Sequence, residues 1–517
     1  MQIAGVEPIP EDVRRGYVAA GLWGGVGLRD GVEAVAARTP DRVAVADGTT
    51  TWTYRELAAA VDRAVGCLRG HGCGPGTAVL VIAPLIAPAV AVYHAVLRCG
   101  GVAVMLDRRS GRADVVNAVE AAGVELIVTT AELATSLQVA DLDVPTVSFD
   151  HVMECATPSE GWTERDPSLP AAIVFTSGTT SRPKAVVHSL DTLRAGARNM
   201  ADIVEMTDAD VAFLSTPLAS ITGLLQTHLT TERGAGLLLE DRFDAARSLA
   251  RLRAEGATVL GGAPVIIEEL FRQAQAEDLH ELPLRTMALG GAMIPREILE
   301  VALDRYGIRP VRVYGSSEVP VSTGTLPSDE GEGRYADDGA CAEGTEVRIL
   351  GDQPGELLLR GPMRMLGYLD EGDNAEAFTD GGWYRTGDLG RFEDGRLTVT
   401  GRLKEIVSRK GLKISLTEID DVARRLPGAE EVAAFGVPDA ETGERLALAV
   451  VARDVAAVDF DSVTAWLLDA GLAKWKLPEQ VVVWEQPLPR TESGKVQRRM
   501  LAADGAGSRT FLAPRLR

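Results

Sequence analysis

The chain is poor in cysteine and histidine: its 517 residues include five of the first and six of the second. The cysteines (Cys67, Cys73, Cys99, Cys155 and Cys341) are odd in number, scattered and without a C-x-x-C pair. That pattern argues against a disulfide-framed scaffold or a zinc site and predicts free thiols in a reducing compartment. The histidines also lack metal-ligand spacing. A basic excess is missing too, with 53 Lys and Arg against 74 Asp and Glu and a formal charge of −21. Such a surface repels nucleic acid and anionic membrane, and it makes any phosphate-binding stretch depend on a local basic site. No apolar run has the length and composition of a membrane span. The longest, residues 78–93, contains Pro84 and Pro88 and reads as a buried strand turning into a buried helix. Residues 1–12 include acidic side chains and no apolar core, unlike a secretory leader. The expectations are a cytoplasmic location, no membrane insertion and no nucleic-acid partner. Internal repeats and low-complexity tracts are likewise missing.

What is present is the composition of a folded protein, 46% hydrophobic and 25% charged, in a chain too long for one core. Apolar runs at 78–83, 102–106, 126–128 and 144–149 alternate with helical stretches at 88–98 and 113–122. This alternation predicts parallel sheet with crossover helices. It resumes with helices at 244–255, 264–274 and 295–306, the last with proline in its first turn, and strands at 257–260, 284–289 and 311–313. From about residue 344, short strands at 346–350, 355–359, 390–393 and 396–399 are separated by Gly and Asp turns, as in a small antiparallel barrel. After residue 401 the pattern becomes α+β, with helices near 417–425 and 460–468. The expected fold class is therefore α/β. A large N-terminal domain (1–400) would combine layered α/β subdomains with a small β-barrel-like subdomain. A boundary at 401–404 would separate it from a small C-terminal α+β domain (405–517).

The most informative stretch runs from Ala171 to Lys184, where an apolar strand enters a turn holding Thr176, Ser177, Gly178, Thr179, Thr180 and Ser181. Hydroxyls and exposed backbone N–H groups at a strand end form an anion nest, and the lysine adds a point charge. It is not a Walker loop, which needs Gly before the lysine and Ser or Thr after it. Here the neighbours are Pro183 and Ala185. The alternative is a solvated Ser/Thr turn with an exposed lysine.

Further stretches point the same way. Thr53-Tyr54-Arg55-Glu56-Leu57 and the segment 97–107 carry no chemistry of their own. Gly290-Gly291-Ala292 follows a strand. Tyr314-Gly315-Ser316-Ser317-Glu318 offers an aromatic face for a base, a hydroxyl for a phosphate and a carboxylate for a divalent cation, although alone such a stretch is more often just a turn. Tyr384-Arg385-Thr386-Gly387-Asp388 offers a carboxylate able to accept two ribose hydroxyls, or merely an Asp in a Gly turn. Gly401-Arg402-Leu403-Lys404 and Pro489-Arg490-Thr491-Glu492-Ser493-Gly494-Lys495 complete the series.

Together these stretches resemble the adenylate-forming superfamily of acyl-CoA synthetases, luciferases and peptide-synthetase adenylation domains, most of all bacterial carboxylate–CoA ligases. The likeness runs from about Gly31 to Leu501. The family's loop T-S-G-T-T-G-x-P-K-G is kept in frame, with Ser181 and Ala185 at its two later glycines. The resemblance implies ATP and Mg²⁺ as cofactors, with CoA or a carrier-protein phosphopantetheine as thiol acceptor. It assigns phosphate contacts to Thr176, Ser177, Gly178, Thr179, Thr180 and Lys184, and the nucleotide-facing loop to Gly290, Gly291 and Ala292. Tyr314 and Gly315 would cover adenine, Ser317 would replace the usual threonine, and Glu318 would hold the metal. Asp388 would clamp the ribose, and Arg402 would contact ribose and phosphate. Lys495 is implied as the catalytic lysine, acting with Glu318 and Thr179. By the same likeness Lys404 is the hinge, the C-terminal domain is mobile, and Lys410 and Gly411 border the thiol tunnel.

Pro217-Leu218-Ala219-Ser220-Ile221-Thr222-Gly223 resembles a segment that often carries an aromatic residue or histidine in the family; here Ser220 takes that place. Ser220, Gly223, Leu224, Thr227 and Val319 are candidates for the acyl pocket, with plain core packing as the alternative for each. No aspartate stands just after Ala212, which disfavours an α-amino acid substrate. The expected reaction is activation of a small-molecule carboxylate to an acyl-adenylate, then transfer to CoA. Loading of a carrier protein and activation of nitrite for diazotisation of an aryl amine are the alternatives. A homodimer is compatible with the sequence.

Overall fold

The structure, a computed structural model, describes residues 9–24, 31–156, 163, 165–176, 183–262, 264–290, 294–409, 412–452, 458–490, 496–502 and 509–514. The chain forms two compact units. One comprises Met1–Val347, Leu359–Arg385 and Asp394–Leu397; the other comprises Arg348–Leu358, Thr386–Glu393 and Thr398–Arg517. The fold is the expected mixed α/β one, with a large N-terminal and a small C-terminal domain.

The first unit is built on two sheets. One has seven strands in the order Gly367–Tyr368, Ala185–Ser189, Pro170–Phe175, Val102–Asp107, Ala78–Ala83, Leu126–Thr129 and Thr146–Ser148. Its last five strands are parallel, and the first two are antiparallel additions. All of Ala78–Ala83 is buried, as expected for a parallel strand covered on both faces. The helix Ala87–Arg98 that follows is wholly buried as well, so the apolar run 78–93 lies within the core.

The other sheet, within this unit, runs Ala340–Cys341, Thr323–Gly324, Arg309–Tyr314, Thr286–Gly290, Val259–Gly262, Val211–Leu214, Gly236–Leu239, Val43–Ala46 and Thr51–Thr53. The strands from Arg309–Tyr314 through Val43–Ala46 are parallel. The Thr53–Leu57 stretch has a plain structural cause. Thr53 and Glu56 form a capping box at the head of helix Tyr54–Gly70, satisfying N–H groups that a helix start leaves unpaired. The buried Tyr54 donates its hydroxyl to the Ala235 carbonyl at 2.7 Å.

Several element boundaries differ from the sequence reading. The run 144–149 is strand only over Thr146–Ser148, because the Ser148 hydroxyl accepts from His151 N and starts the helix Phe149–Glu154. Pro295 lies before, not inside, the helix Arg296–Glu300, which widens into a π-helical turn over Val301–Arg305. The strand expected at 390–393 begins at Trp383 and continues to Glu393.

The second unit contains a sheet ordered Leu412–Ser415, Ile406–Arg409, Gly443–Ala452, Gln480–Trp484 and Arg509–Leu512, with Ala429–Asp439 also paired to Gly443–Ala452. Helices Leu416–Ala423 and Phe460–Asp469 bury Ile419, Ala423, Val463 and Leu467 in its core. All five cysteines are free thiols. Among the described residues no helix is long and apolar enough to cross a membrane, and no group of three or more His, Cys, Asp or Glu side chains could hold a metal ion.

Candidate functional site

Register fixes where the site lies in the first unit. Gly290 pairs with Val313, Gly262 with Leu289, and Gly261 with Leu214. The carboxyl ends of four neighbouring parallel strands are therefore aligned, and ligands of open α/β sheets bind beyond such ends. Tyr314 and Gly290 stand on this edge. A Cβ on Gly290 would sit 2.5 Å from the Val313 carbonyl oxygen, and one on Gly315 would sit 2.4 Å from Val321 N. Backbone packs directly on backbone at both positions, which requires glycine. Ser322 N donates to the Tyr314 carbonyl at 2.8 Å, folding the following turn back on the strand.

Glu318 occupies that turn, partly buried. The Tyr368 hydroxyl donates to its Oε1 at 2.7 Å and lies 3.2 Å from the Tyr384 hydroxyl, which is thereby the donor to Tyr368. Burial first, and then the Glu318 charge, push the pKa of both tyrosines well above the ordinary tyrosine value, so both stay protonated donors. The turn's backbone is held as well. Met365 N donates to the Glu318 carbonyl at 2.7 Å, and His188 Nε2 donates to the Ser317 carbonyl at 2.7 Å. His188 is fully buried, and that burial lowers its pKa to about 4. It is therefore neutral, with Nδ1 3.0 Å from the Thr192 hydroxyl.

Lys184 joins the same cluster. Its ammonium is 2.9 Å from Asp373 Oδ1 and 4.7 Å from the centre of the Tyr368 ring. Thr176 N donates to the Lys184 carbonyl at 3.0 Å, and the flanking strands pair antiparallel with Phe175 opposite Ala185. The loop thus joins two strands, unlike a Walker loop, which opens a helix. Ser177, Gly178, Thr179, Thr180, Gly291, Ala292, Lys410, Gly411 and Lys495 lie outside the described residues.

Sequence reasoning missed Tyr368, Asp373 and His188 as members of this cluster. Tyr368 reaches Glu318 because its strand Gly367–Tyr368 pairs with Ala185–Ser189 directly after the loop. No local pattern announces that pairing.

The five pocket candidates are all engaged within the protein. Ser220 caps helix Ile221–Arg233, accepting from Gly223 N at 3.1 Å and donating to the Pro217 carbonyl at 2.7 Å. A Cβ on Gly223 would stand 2.3 Å from that carbonyl oxygen. The Thr227 hydroxyl donates to the Gly223 carbonyl at 2.9 Å, while Leu224 and Val319 are fully buried in the main core.

In the second unit, Asp388 lies within the strand Trp383–Glu393, not in a free turn. Gly387, at φ +69°, bends that strand, the Thr386 hydroxyl donates to the Leu357 carbonyl, and Asp388 N donates to Thr386 Oγ1. The buried Asp388 carboxylate pairs with Arg402 Nε at 2.9 Å, which brings two of the expected nucleotide contacts together. Lys404 is exposed in the turn Leu403–Glu405, beside a cavity also lined by Glu444, Arg498 and Arg499.

The arrangement is that of an α/β protein with a polar cluster at the carboxyl edge of its sheet, and comparison with known proteins gives the family. Residues 32–369 match the AMP-binding enzyme family, and residues 418–495 match the AMP-binding enzyme C-terminal domain. The chain belongs to this family and is an AMP-forming acid–thiol ligase. It is 30% identical to the medium-chain fatty-acid–CoA ligase of Escherichia coli (strain K12) over 96% of this chain and 93% of that protein. It is 29% identical to the 2-hydroxy-7-methoxy-5-methyl-1-naphthoate–CoA ligase of Streptomyces carzinostaticus, over 98% of both. Among solved structures, the o-succinylbenzoate CoA synthetase of Bacillus subtilis in complex with ATP and magnesium ion superposes with a TM-score of 0.81. The identity there is 25%, over 91% of this chain and 99% of that one.

Proposed function

We propose that this chain uses ATP to convert a carboxylic acid into an acyl-adenylate, releasing pyrophosphate, and then transfers the acyl group to the thiol of CoA. The observation that carries this reading is Glu318. Its carboxylate stands in the turn after Tyr314, Oε1 is held by Tyr368, and Oε2 has no partner among the described residues. An oriented carboxylate oxygen of this kind suits Mg²⁺, a hard cation that takes oxygen ligands and keeps phosphate oxygens in its shell. When bound, Mg²⁺ neutralises charge on the phosphates that would otherwise repel an incoming carboxylate.

The chain's own groups supply the rest. Lys184 and the hydroxyl loop, Thr179 included, receive the phosphates. The Tyr314 ring covers the base, and Asp388 with Arg402 holds the ribose. The Lys495 ammonium bridges the attacking carboxylate and the α-phosphate, where negative charge grows in the transition state. For the second step the C-terminal domain turns about Lys404, and Gly411 leaves room for pantetheine.

Related enzymes of this family act on acids as different as a medium-chain fatty acid and a substituted naphthoate, so the acid is not inherited from kinship. The test is AMP release over a panel of carboxylates with and without CoA, with arms for a phosphopantetheinyl carrier protein and for nitrite plus an aryl amine. Acid- and CoA-dependent AMP formation is expected; AMP formed only with the carrier protein, or only with nitrite and amine, would overturn the acceptor or the acid. Lys495→Ala should abolish adenylate formation yet spare thiolysis of a supplied acyl-adenylate. Equal loss of both steps would refute its assignment.

A further inference from the structure

Three polar groups near the carboxyl edge of the second sheet lack bonding partners among the described residues. Gln226 Oε1, Ser215 Oγ and Thr216 Oγ1 are buried atoms without a hydrogen-bond partner among the described residues. Gln226 itself is only 6% exposed. Buried polar groups are almost always paired, and one left unpaired forfeits its hydration with nothing in return. Their placement is also specific. The Gln226 amide lies over Gly261, since a Cβ there would meet Gln226 Nε2 at 2.6 Å. Gly261 pairs in register with Leu214, and the chain runs on from Leu214 into Ser215 and Thr216. All three groups therefore gather at the ends of two adjacent strands. The next strand ends at Gly290 and the one beyond at Tyr314.

Resting on the ligase reading above, we infer that Gln226, Ser215 and Thr216 determine specificity, and that the acid this enzyme activates carries a hydroxyl distal to its carboxylate. Neighbouring strands are about 4.8 Å apart, so roughly 10 Å separates the strand of Gly290 from the one leading into Ser215. A carboxylate reacting near the nucleotide edge at Gly290 and Tyr314 places the far end of a small acid toward the three groups. A hydroxyl both donates and accepts, so it satisfies an amide oxygen and a side-chain hydroxyl together. A plain alkyl or aryl end would leave all three unpaired. The five pocket positions suggested by resemblance offer no such feature, because Ser220 and Thr227 already bond the backbone.

The test uses matched acids in the CoA-dependent AMP-release assay: benzoate with its 2-, 3- and 4-hydroxy forms, hexanoate with 6-hydroxyhexanoate, and cyclohexanecarboxylate with its 4-hydroxy form. A site built to bond a substrate hydroxyl rejects the analogue lacking it strongly, so the best hydroxylated acid should exceed its plain partner by at least about 100-fold in kcat/KM. Gln226→Leu should compress that ratio to within about 10-fold, through loss on the hydroxylated member. Thr216→Val serves the same reading should Gln226→Leu fail to fold. A wild-type enzyme that treats the partners alike or prefers the plain ones overturns the inference while leaving the ligase reading intact. Variants that lose both members equally show a structural role and overturn it too. AMP release with none of the acids would overturn the ligase reading itself.

Discussion

Around Glu318 every anchoring group has a partner. Tyr368 donates to the carboxylate, Tyr384 to Tyr368, His188 and Met365 hold the backbone of the turn, and Lys184 is paired with Asp373. Around Gln226, a few strands along the same sheet, three buried polar atoms have none among the described residues. Both regions are built of polar side chains at the carboxyl edge of one unit, so composition does not separate them; satisfaction does. A satisfied network fixes a group in place before the substrate arrives, which favours chemistry common to every turnover. An unsatisfied one carries a desolvation penalty of about 1–3 kcal/mol per group, which a ligand of matching chemistry relieves and others do not.

Acid should break both regions at once. His188 supports the Glu318 turn. His94 and His228 are buried beside Tyr93, and burial lowers their pKa values to about 4 and about 3. Each histidine is neutral in the fold, whereas unfolded histidine titrates near 6.5. Their contribution is therefore complete above about pH 6.5 and lost as the pH falls below it toward the folded values, by up to about 1.4 kcal/mol per pH unit for each histidine. Urea midpoints measured from pH 7.5 to pH 4.5 should fall steeply below 6.5; a flat profile over that range would contradict this.

Glu318→Gln separates the regions. It should lower acid-dependent pyrophosphate exchange by about 10²–10³-fold with little change in melting temperature, since a metal-facing charge is lost from a position already held by neighbours. Discrimination between hydroxylated and plain acids should survive in the residual activity. Tyr368→Phe is milder. Removing a group that orients a metal-binding carboxylate should weaken apparent Mg²⁺ affinity about 10-fold, seen by titrating activity against Mg²⁺. An unmoved Mg²⁺ midpoint would show that the hydroxyl does not position Glu318.

The smallest effect has the opposite sign. Thr216→Val removes an unpaired hydroxyl at constant shape and should raise stability by up to about 1 kcal/mol in urea unfolding, whereas Tyr368→Phe should lower it by a similar amount. Both changes in the same direction would erase the distinction between the regions.

Much of this was legible in the sequence. Strand-helix alternation located the parallel strands to within a few residues because each buried strand is a short apolar run bounded by turn residues. Gly290, Tyr314 and Gly315 could be placed at strand ends for the same reason. Tyr368 could not, because fifty residues separate it from Glu318 and only the antiparallel addition of Gly367–Tyr368 to Ala185–Ser189 brings them together. Gly387 read as a turn residue, yet the strand runs through it with a single positive φ and carries Asp388 on to Arg402. Resemblance points Ser220 toward the acyl pocket, but its position before Ile221 also fits a helix cap, and capping is what it does. Gln226 is silent in the sequence because a glutamine within a buried helix has no periodic signature; only its lack of a partner among the described residues marks it.

The most direct test of the central claim is phosphorus NMR of ATP turnover in the presence of Mg²⁺, CoA and the carboxylate panel. AMP and pyrophosphate should appear in equal amounts, matched by acyl-CoA, and form about 10²–10³-fold more slowly in Glu318→Gln. Formation of ADP and phosphate, or of AMP independent of any acid, would contradict the account.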